Sequence, residues 1–193
     1  MTEPSVEAAD RILRRHEIRF VVVGGQAIAR NAATATQDVD VMVTTSDYRA
    51  AKARLQEDPE LTMAWDGGAV CRFGIKEHQG TPLDVVDAGV FSGQRTAEEF
   101  FDFLVQEQST ETDGVRYVSA EAVWYTRLLT KRWRAYAEKI VTNVVDGIPV
   151  ERLDRVEAIA RRFGTEATLR ERIAYVREEL RRPDLASLLD DAG

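Results

Sequence analysis

The sequence is poor in the residues that build covalent or soft-metal sites. It carries one cysteine, Cys71, and two histidines, His16 and His78, in 193 residues. One thiol cannot close an intrachain disulfide or build a cysteine zinc centre, and the two histidines are far apart, without helical ligand spacing. Structural zinc is therefore not expected. No apolar run approaches the roughly 20 residues that a membrane span needs. The N-terminal stretch MTEPSVEAAD lacks a basic segment followed by an apolar one, so no secretory leader is expected there. These absences point to a reducing cytoplasm and to no membrane partner. Positive charge is also short: 26 Lys and Arg stand against 33 Asp and Glu, a net charge of −7. Attraction of nucleic acid to the whole surface is thereby excluded, because that affinity comes mainly from phosphate neutralisation. The dinucleotide fingerprint Gly-x-Gly-x-x-Gly and the P-loop Gly-Lys-Ser/Thr are both missing, which removes the two commonest nucleotide-binding signatures.

What is present can fold. Hydrophobic residues make up 44% of the chain and charged residues 31%, the balance of a globular protein with a sizeable core. The length suits one domain, or a catalytic domain with a helical extension. Apolar spacing predicts a helix over 5–16. A β-branched run predicts a buried strand over 18–23, stopped by Gly24-Gly25. A helix is predicted over 26–33 and a strand over 38–43. A further helix over 47–57 has Ser46 as its expected N-cap. Strands are expected over 61–65 and 70–76 around the turn Asp66-Gly67-Gly68, and another over 83–87 behind Pro82. Residues 95–107 read as helix and 115–118 as a short strand. From Ser119 onward the chain is nearly all helix-forming, with breaks at 147–149, at Gly164 and at Pro183. The expected organisation is an α/β (α+β) core over 1–118, with a mixed sheet flanked by helices, followed by a C-terminal helical region over 119–193.

The chemistry is concentrated in residues 21–43, VVVGGQAIARNAATATQDVDVMV. A strand ending in a glycine pair that opens a helix aims backbone N–H groups and a helix N-terminus at one spot, a natural place for an anion. The following strand carries Asp38 and Asp40. Alternate strand residues share a face, so both carboxylates point the same way. Such closeness makes sense if a hard cation lies between them. A third acid is expected from a neighbouring strand. Asp84 in LDVVD is favoured over Asp87, because an acid at a strand end is more often a turn former. Three such carboxylates suit one or two Mg²⁺ ions.

GGQAIARNAATATQDVDV, followed by PLDVVD, resembles the polymerase-β nucleotidyltransferase pattern: a glycine pair, then Asp-x-Asp, then a later strand Asp. More narrowly, the chain is similar to the AbiEii-type nucleotidyltransferases, many of them toxin components of bacterial toxin–antitoxin or phage-defence pairs. The likeness covers roughly residues 15–165 and includes Val118-Ser119-Ala120-Glu121-Ala122 and the closing run VVDGIPVERLDRVEAIARRFG. It implies a polymerase-β-like fold and transfer of a nucleoside monophosphate from an NTP to a hydroxyl, with Mg²⁺ (or Mn²⁺) on Asp38, Asp40 and Asp84. Gly24 and Gly25 would hold phosphates, and Lys131 would bind the nucleotide; Arg127 is a nucleotide-binding candidate from its helix spacing with Lys131. The acceptor implied is an RNA 3′ end, notably tRNA, and the implied partner is a cognate antitoxin. Three positions depart from the pattern. Thr34 stands where an arginine is usual, with Arg30 one turn back as a substitute. The motif Lys-Asp-x-x-Asp keeps Lys139 but has Ile140 and Asn143 in place of its acids. These departures keep open a non-catalytic binding protein of the same fold, and a small-molecule (antibiotic) nucleotidyltransferase is a further alternative.

Arg127, Lys131 and Arg134 are spaced i, i+4, i+7 and are expected on one face of one long helix. They form either a phosphate clamp or a solvated stripe. Trp124 and Trp133 read as packing residues, Cys71 as a buried apolar residue, His78 as an exposed loop residue, and Arg161-Arg162 as partners of a helix dipole.

Overall fold

A computed structural model describes residues 3–29 and 38–182. Thr34, Arg30, the second half of the helix expected over 26–33 and the break expected at Pro183 lie outside these residues. The chain runs α1 (Pro4–Arg15), β1 (Val21–Val23), α2 (Gly24–Ala29), β2 (Val39–Val43), α3 (Thr45–Gln56), β3 (Leu61–Asp66), β4 (Val70–Ile75) and β5 (Thr81–Asp87). It continues as α4 (Ala97–Glu107), β6 (Ser109–Thr112), β7 (Val115–Val118), α5 (Ala120–Leu129), α6 (Trp133–Val145), α7 (Arg152–Phe163) and α8 (Glu166–Leu180). The seven strands form one mixed sheet in the order β3-β4-β5-β2-β1-β7-β6. β2 and β5 are parallel, as are β1 and β7, and the remaining neighbours are antiparallel. Among the described residues no helix is long and apolar enough to cross a membrane.

The period-two alternation of the central strands divides the interior into two cores. Val39, Val41 and Val43 of β2, with Leu83 and Val85 of β5, pack against α1 and α3. Met42, on the opposite face, packs with Val21, Val23 and the helices α4 to α8. The sheet is thus covered on both sides, which is why the buried positions of its strands are mostly Val, Leu and Met. The same alternation puts Asp40 and Asp84 on the face of the C-terminal helices. The boundary expected at 118/119 falls between β7 and α5, and one hydrophobic cluster runs across it.

Four local expectations change. The cap of α3 is Thr44, whose side chain accepts from the Asp47 N–H at 3.1 Å, rather than Ser46. Thr44 leaves β2 still extended (φ −66°, ψ 162°), which is the backbone an N-cap needs. β6 was not expected. Its sequence STET has no apolar member and it lies at the sheet edge. It pairs with β7 through Asp113-Gly114, both at positive φ, the signature of a tight hairpin turn. The strand expected over 18–23 is confined to Val21–Val23. The single long helix carrying Arg127, Lys131 and Arg134 is broken. Thr130 is extended (ψ 162°) and ends α5. Its hydroxyl donates to the Arg127 carbonyl at 2.9 Å. Arg172 of α8 donates to the Leu128 and Thr130 carbonyls, satisfying acceptors that a continuing helix would have used. Arg127, Lys131 and Arg134 therefore do not share one helix face.

α7 is fastened to α4 and α5 by aromatic contacts. Phe163 lies edge-on to Phe100 and Phe103, with ring centroids at 5.0 Å and 5.2 Å, and 6.3 Å from Tyr125. Phe163→Ala would leave a cavity in this fully buried cluster and should cost about 3–5 kcal/mol, measured as a lower urea midpoint at unchanged slope.

Candidate active site

β2 and β5 set the geometry. They are parallel neighbours, and Asp40 lies directly opposite Asp84 in register. Asp38 lies in the bend just before β2. One ligand atom from each of Asp38, Asp40 and Asp84 falls within 4.8 Å of the others. The donor set is three carboxylates, with no nitrogen or sulfur, which fits a hard cation such as Mg²⁺ or Mn²⁺ and not zinc. Asp87, the rival third acid, lies at the far end of β5, opposite Val43. Its carboxylate accepts from the Gly89 N–H at 2.8 Å and from the Thr45 hydroxyl at 2.6 Å. It forms the turn that follows the strand.

The glycine pair closes over the cluster. Val23 at the end of β1 is paired with Asp40, and the chain then turns into α2 through Gly24 at φ +67°. A Cβ on Gly24 would lie 1.8 Å from Asp40 Oδ2. Glycine is needed here for the backbone angle and again for the close approach. The Gly25 N–H donates to the Asp40 carboxylate. Desolvation under this turn, with the charges of Asp38 and Asp84, pushes the Asp40 carboxyl up to about 7.

Arg72 is the residue that sequence reasoning missed. It stands directly across from Asp84 on β4. Nε donates to Asp84 Oδ1 and Nη2 to Asp84 Oδ2, both at 2.6 Å, and Nη2 is 3.8 Å from Asp38 Oδ2. A signal existed in VCRFGI. Cys71, Phe73 and Ile75 are buried on one face, so Arg72 must project from the other. Only strand pairing shows that an acid waits there.

The carboxylates line a cleft of about 820 Å³ whose far wall comes from the end of α5 and from α6. Arg127, Thr130, Tyr136, Lys139 and Asn143 are on that wall. The Arg127 guanidinium lies 5.5 Å and Lys139 Nζ 5.8 Å from the centre of the Tyr136 ring. Burial lowers the pKa of Arg127, and the charge of Asp40 pulls it back up. Lys131 is elsewhere. It is exposed in the turn between α5 and α6 and is not among the residues lining the cleft. Of the two positions that depart from the acidic motif, Ile140 is buried in the core. Asn143 faces the cleft and accepts from Trp124 Nε1 at 3.4 Å.

No protein-family model matches the chain, and no curated protein does. Solved structures do. An antigenic nucleotidyltransferase-like protein from Paracoccidioides brasiliensis is similar over 96% of this chain and 89% of its own, at 20% identity and a TM-score of 0.54. ANT(2")-Ia in complex with adenylyl-2"-tobramycin aligns over 90% of this chain and 95% of its own, at 15% identity and a TM-score of 0.47. The first likeness establishes the fold: a nucleotidyltransferase-like mixed sheet with helices on both faces.

The close packing of Gly24 on Asp40 sets what a side chain there would cost. Gly24→Ala should destabilise the protein by at least about 1–2 kcal/mol from the left-handed backbone alone and should displace Asp40, which a lowered melting temperature and weakened Mn²⁺ binding would register. Between its ordinary range and about 7, Asp40 binds a proton in the folded protein that the unfolded chain has already lost. Metal-free stability should therefore fall as pH rises through that window. Metal binding must expel that proton, so Mn²⁺ affinity should rise with pH and level off above about 8, being roughly tenfold weaker near pH 6. Calorimetry at both pH values checks this, and pH-independent binding would contradict it.

Proposed function

We propose that the chain is a metal-dependent nucleotidyltransferase, moving a nucleoside monophosphate from an NTP to an acceptor hydroxyl. The observation that carries this reading is the convergence of Asp38, Asp40 and Asp84 within 4.8 Å on one wall of a cleft whose opposite wall holds Arg127 and Lys139. An NTP needs both: anionic ligands for its cation and cationic groups for the charge that remains on its phosphates. A bound Mg²⁺ or Mn²⁺ would polarise the α-phosphate and make the acceptor hydroxyl easier to deprotonate. The hydroxyl oxygen forms a bond to the α-phosphorus, the bond from that phosphorus to the β-bridging oxygen breaks, and pyrophosphate leaves with the electron pair. Asp84, once released by Arg72, would help take the proton of the hydroxyl. Arg127 and Lys139 neutralise the triphosphate. Gly24 and Gly25 keep the backbone close to Asp40 and line the cleft in which the phosphates would lie. Lys131, exposed beyond the cleft, would at most guide a long substrate.

The acceptor we infer is an RNA 3′-hydroxyl, in a toxin-like activity of the AbiEii type. The charge of the cleft supports it. Among the described residues, every carboxylate lining it belongs to the triad, and Arg72, Arg127 and Lys139 balance the three. A polycationic antibiotic would need further carboxylates, and among the described residues the cleft lining supplies none. An anionic chain end meets no such deficit.

The test is incubation with each α-labelled NTP, Mg²⁺ and total RNA. Wild type should label RNA, and Asp38→Asn, Asp40→Asn and Asp84→Asn should each lower the rate by roughly 100-fold or more. Asp38→Asn and Asp40→Asn should keep or raise the melting temperature without metal, since carboxylate repulsion is relieved. Wild type that binds Mn²⁺ and NTP yet labels no RNA would overturn the acceptor and leave the transfer chemistry standing.

A further inference from the structure

Arg72 holds an unusual position for a cleft that must receive a divalent cation. Its register opposite Asp84 makes the contact a consequence of strand pairing rather than of a chance rotamer. The guanidinium forks both Asp84 oxygens at 2.6 Å and reaches toward Asp38. A fork of this kind is among the stronger charge-assisted contacts a carboxylate can make. The same two oxygens are those that Asp84 would offer to a metal. The Asp84 side chain is only 12% exposed, while that of Arg72 is 41% exposed. The acid is fixed, and the base has room to turn into the cleft. A phosphate offers a guanidinium the same planar pair of acceptors that a carboxylate does.

We propose that Arg72 is a resident counter-ion of the carboxylate cluster, competing with a divalent cation for Asp84 and yielding it when nucleotide phosphates take up the guanidinium. The inference rests on the nucleotidyl-transfer reading above and extends it. It makes metal and nucleotide binding mutually reinforcing: the cation alone must displace a fork, whereas the cation with a triphosphate gives that fork a new partner. By linkage, nucleotide tightens metal binding by the same factor that metal tightens nucleotide binding. The device keeps three neighbouring carboxylates compatible with a folded protein before substrate arrives, and it reserves tight metal binding for the loaded site.

The experiment is Mn²⁺ binding by calorimetry and by the resonance signal of free Mn²⁺, on the whole chain, with and without the α,β-methylene analogues of the four NTPs. Wild type, Arg72→Gln, Arg72→Lys and Asp38→Asn are compared, with circular dichroism melts to establish folding. Arg72→Gln should bind Mn²⁺ alone roughly tenfold more tightly than wild type, since a nearby positive charge is gone. It should also lose most of the tightening that nucleotide gives wild type. Arg72→Lys, which keeps the charge without the fork, should fall between, and it carries the test if Arg72→Gln does not fold. Weaker Mn²⁺ binding in Arg72→Gln, abolished in Asp38→Asn, would overturn the proposal in favour of an arginine that merely positions Asp84, and the metal site would stand. No Mn²⁺ binding in any of the four proteins would overturn both the proposal and the metal-site reading.

Discussion

The architecture of the cleft depends on one constraint, the register that sets Asp40 opposite Asp84 on parallel neighbouring strands. Two carboxylates so placed, with a third at Asp38, repel one another and resist desolvation. The surrounding structure answers that repulsion from every side. The Gly25 N–H donates to Asp40 from above, Arg72 forks Asp84 from the next strand, and the positive charge of Arg127 acts on Asp40 from across the cleft. Burial first, and then the repulsion that remains, raise the Asp40 carboxyl, which holds its proton up to about pH 7. A cluster that tolerates this tension is suited to a cation that would relieve it.

The fold makes the constraint rigid. Both strands carrying the acids are interior members of the sheet, and their alternate residues are locked into a core that includes Val41, Val85 and Phe73. A one-residue slip would turn every acid into that core, so the register is strongly specified. The helices on the other face supply Arg127 and Lys139. Their positions follow from packing as well, because the end of α5 is fixed by Arg172 and α7 by the Phe163 cluster. Acidic and basic walls are thus built by different layers and meet only where those layers join.

Much of this was legible in the sequence, for reasons that can be named. Val-Val-Val before Gly-Gly, and Asp-Val-Asp-Val within a β-branched run, report strand, turn and shared face through local periodicity alone. Asp84 could be separated from Asp87 because a strand interior and a strand end favour different roles. The mixed α/β class followed from the same local signals. The rest depended on contacts distant in the chain. The break at Thr130 is enforced by Arg172, 42 residues away, so the stripe of Arg127, Lys131 and Arg134 read as continuous. The cleft lysine is Lys139 because α6 starts anew after that break. Arg72 needed the pairing of β4 with β5, and β6 needed the Asp113-Gly114 turn to be weighed above its polar composition.

We propose that Asp38, Asp40 and Asp84 together hold the divalent cation of a nucleotidyl-transfer site. Anomalous diffraction at the manganese edge, from crystals grown with Mn²⁺ and a non-hydrolysable NTP analogue, tests it most directly. An anomalous peak is expected among these three carboxylates, with the triphosphate between them and the wall of Arg127 and Lys139. A well-ordered nucleotide whose manganese lies elsewhere, or a carboxylate cluster that stays free of anomalous density at saturating Mn²⁺, would contradict it.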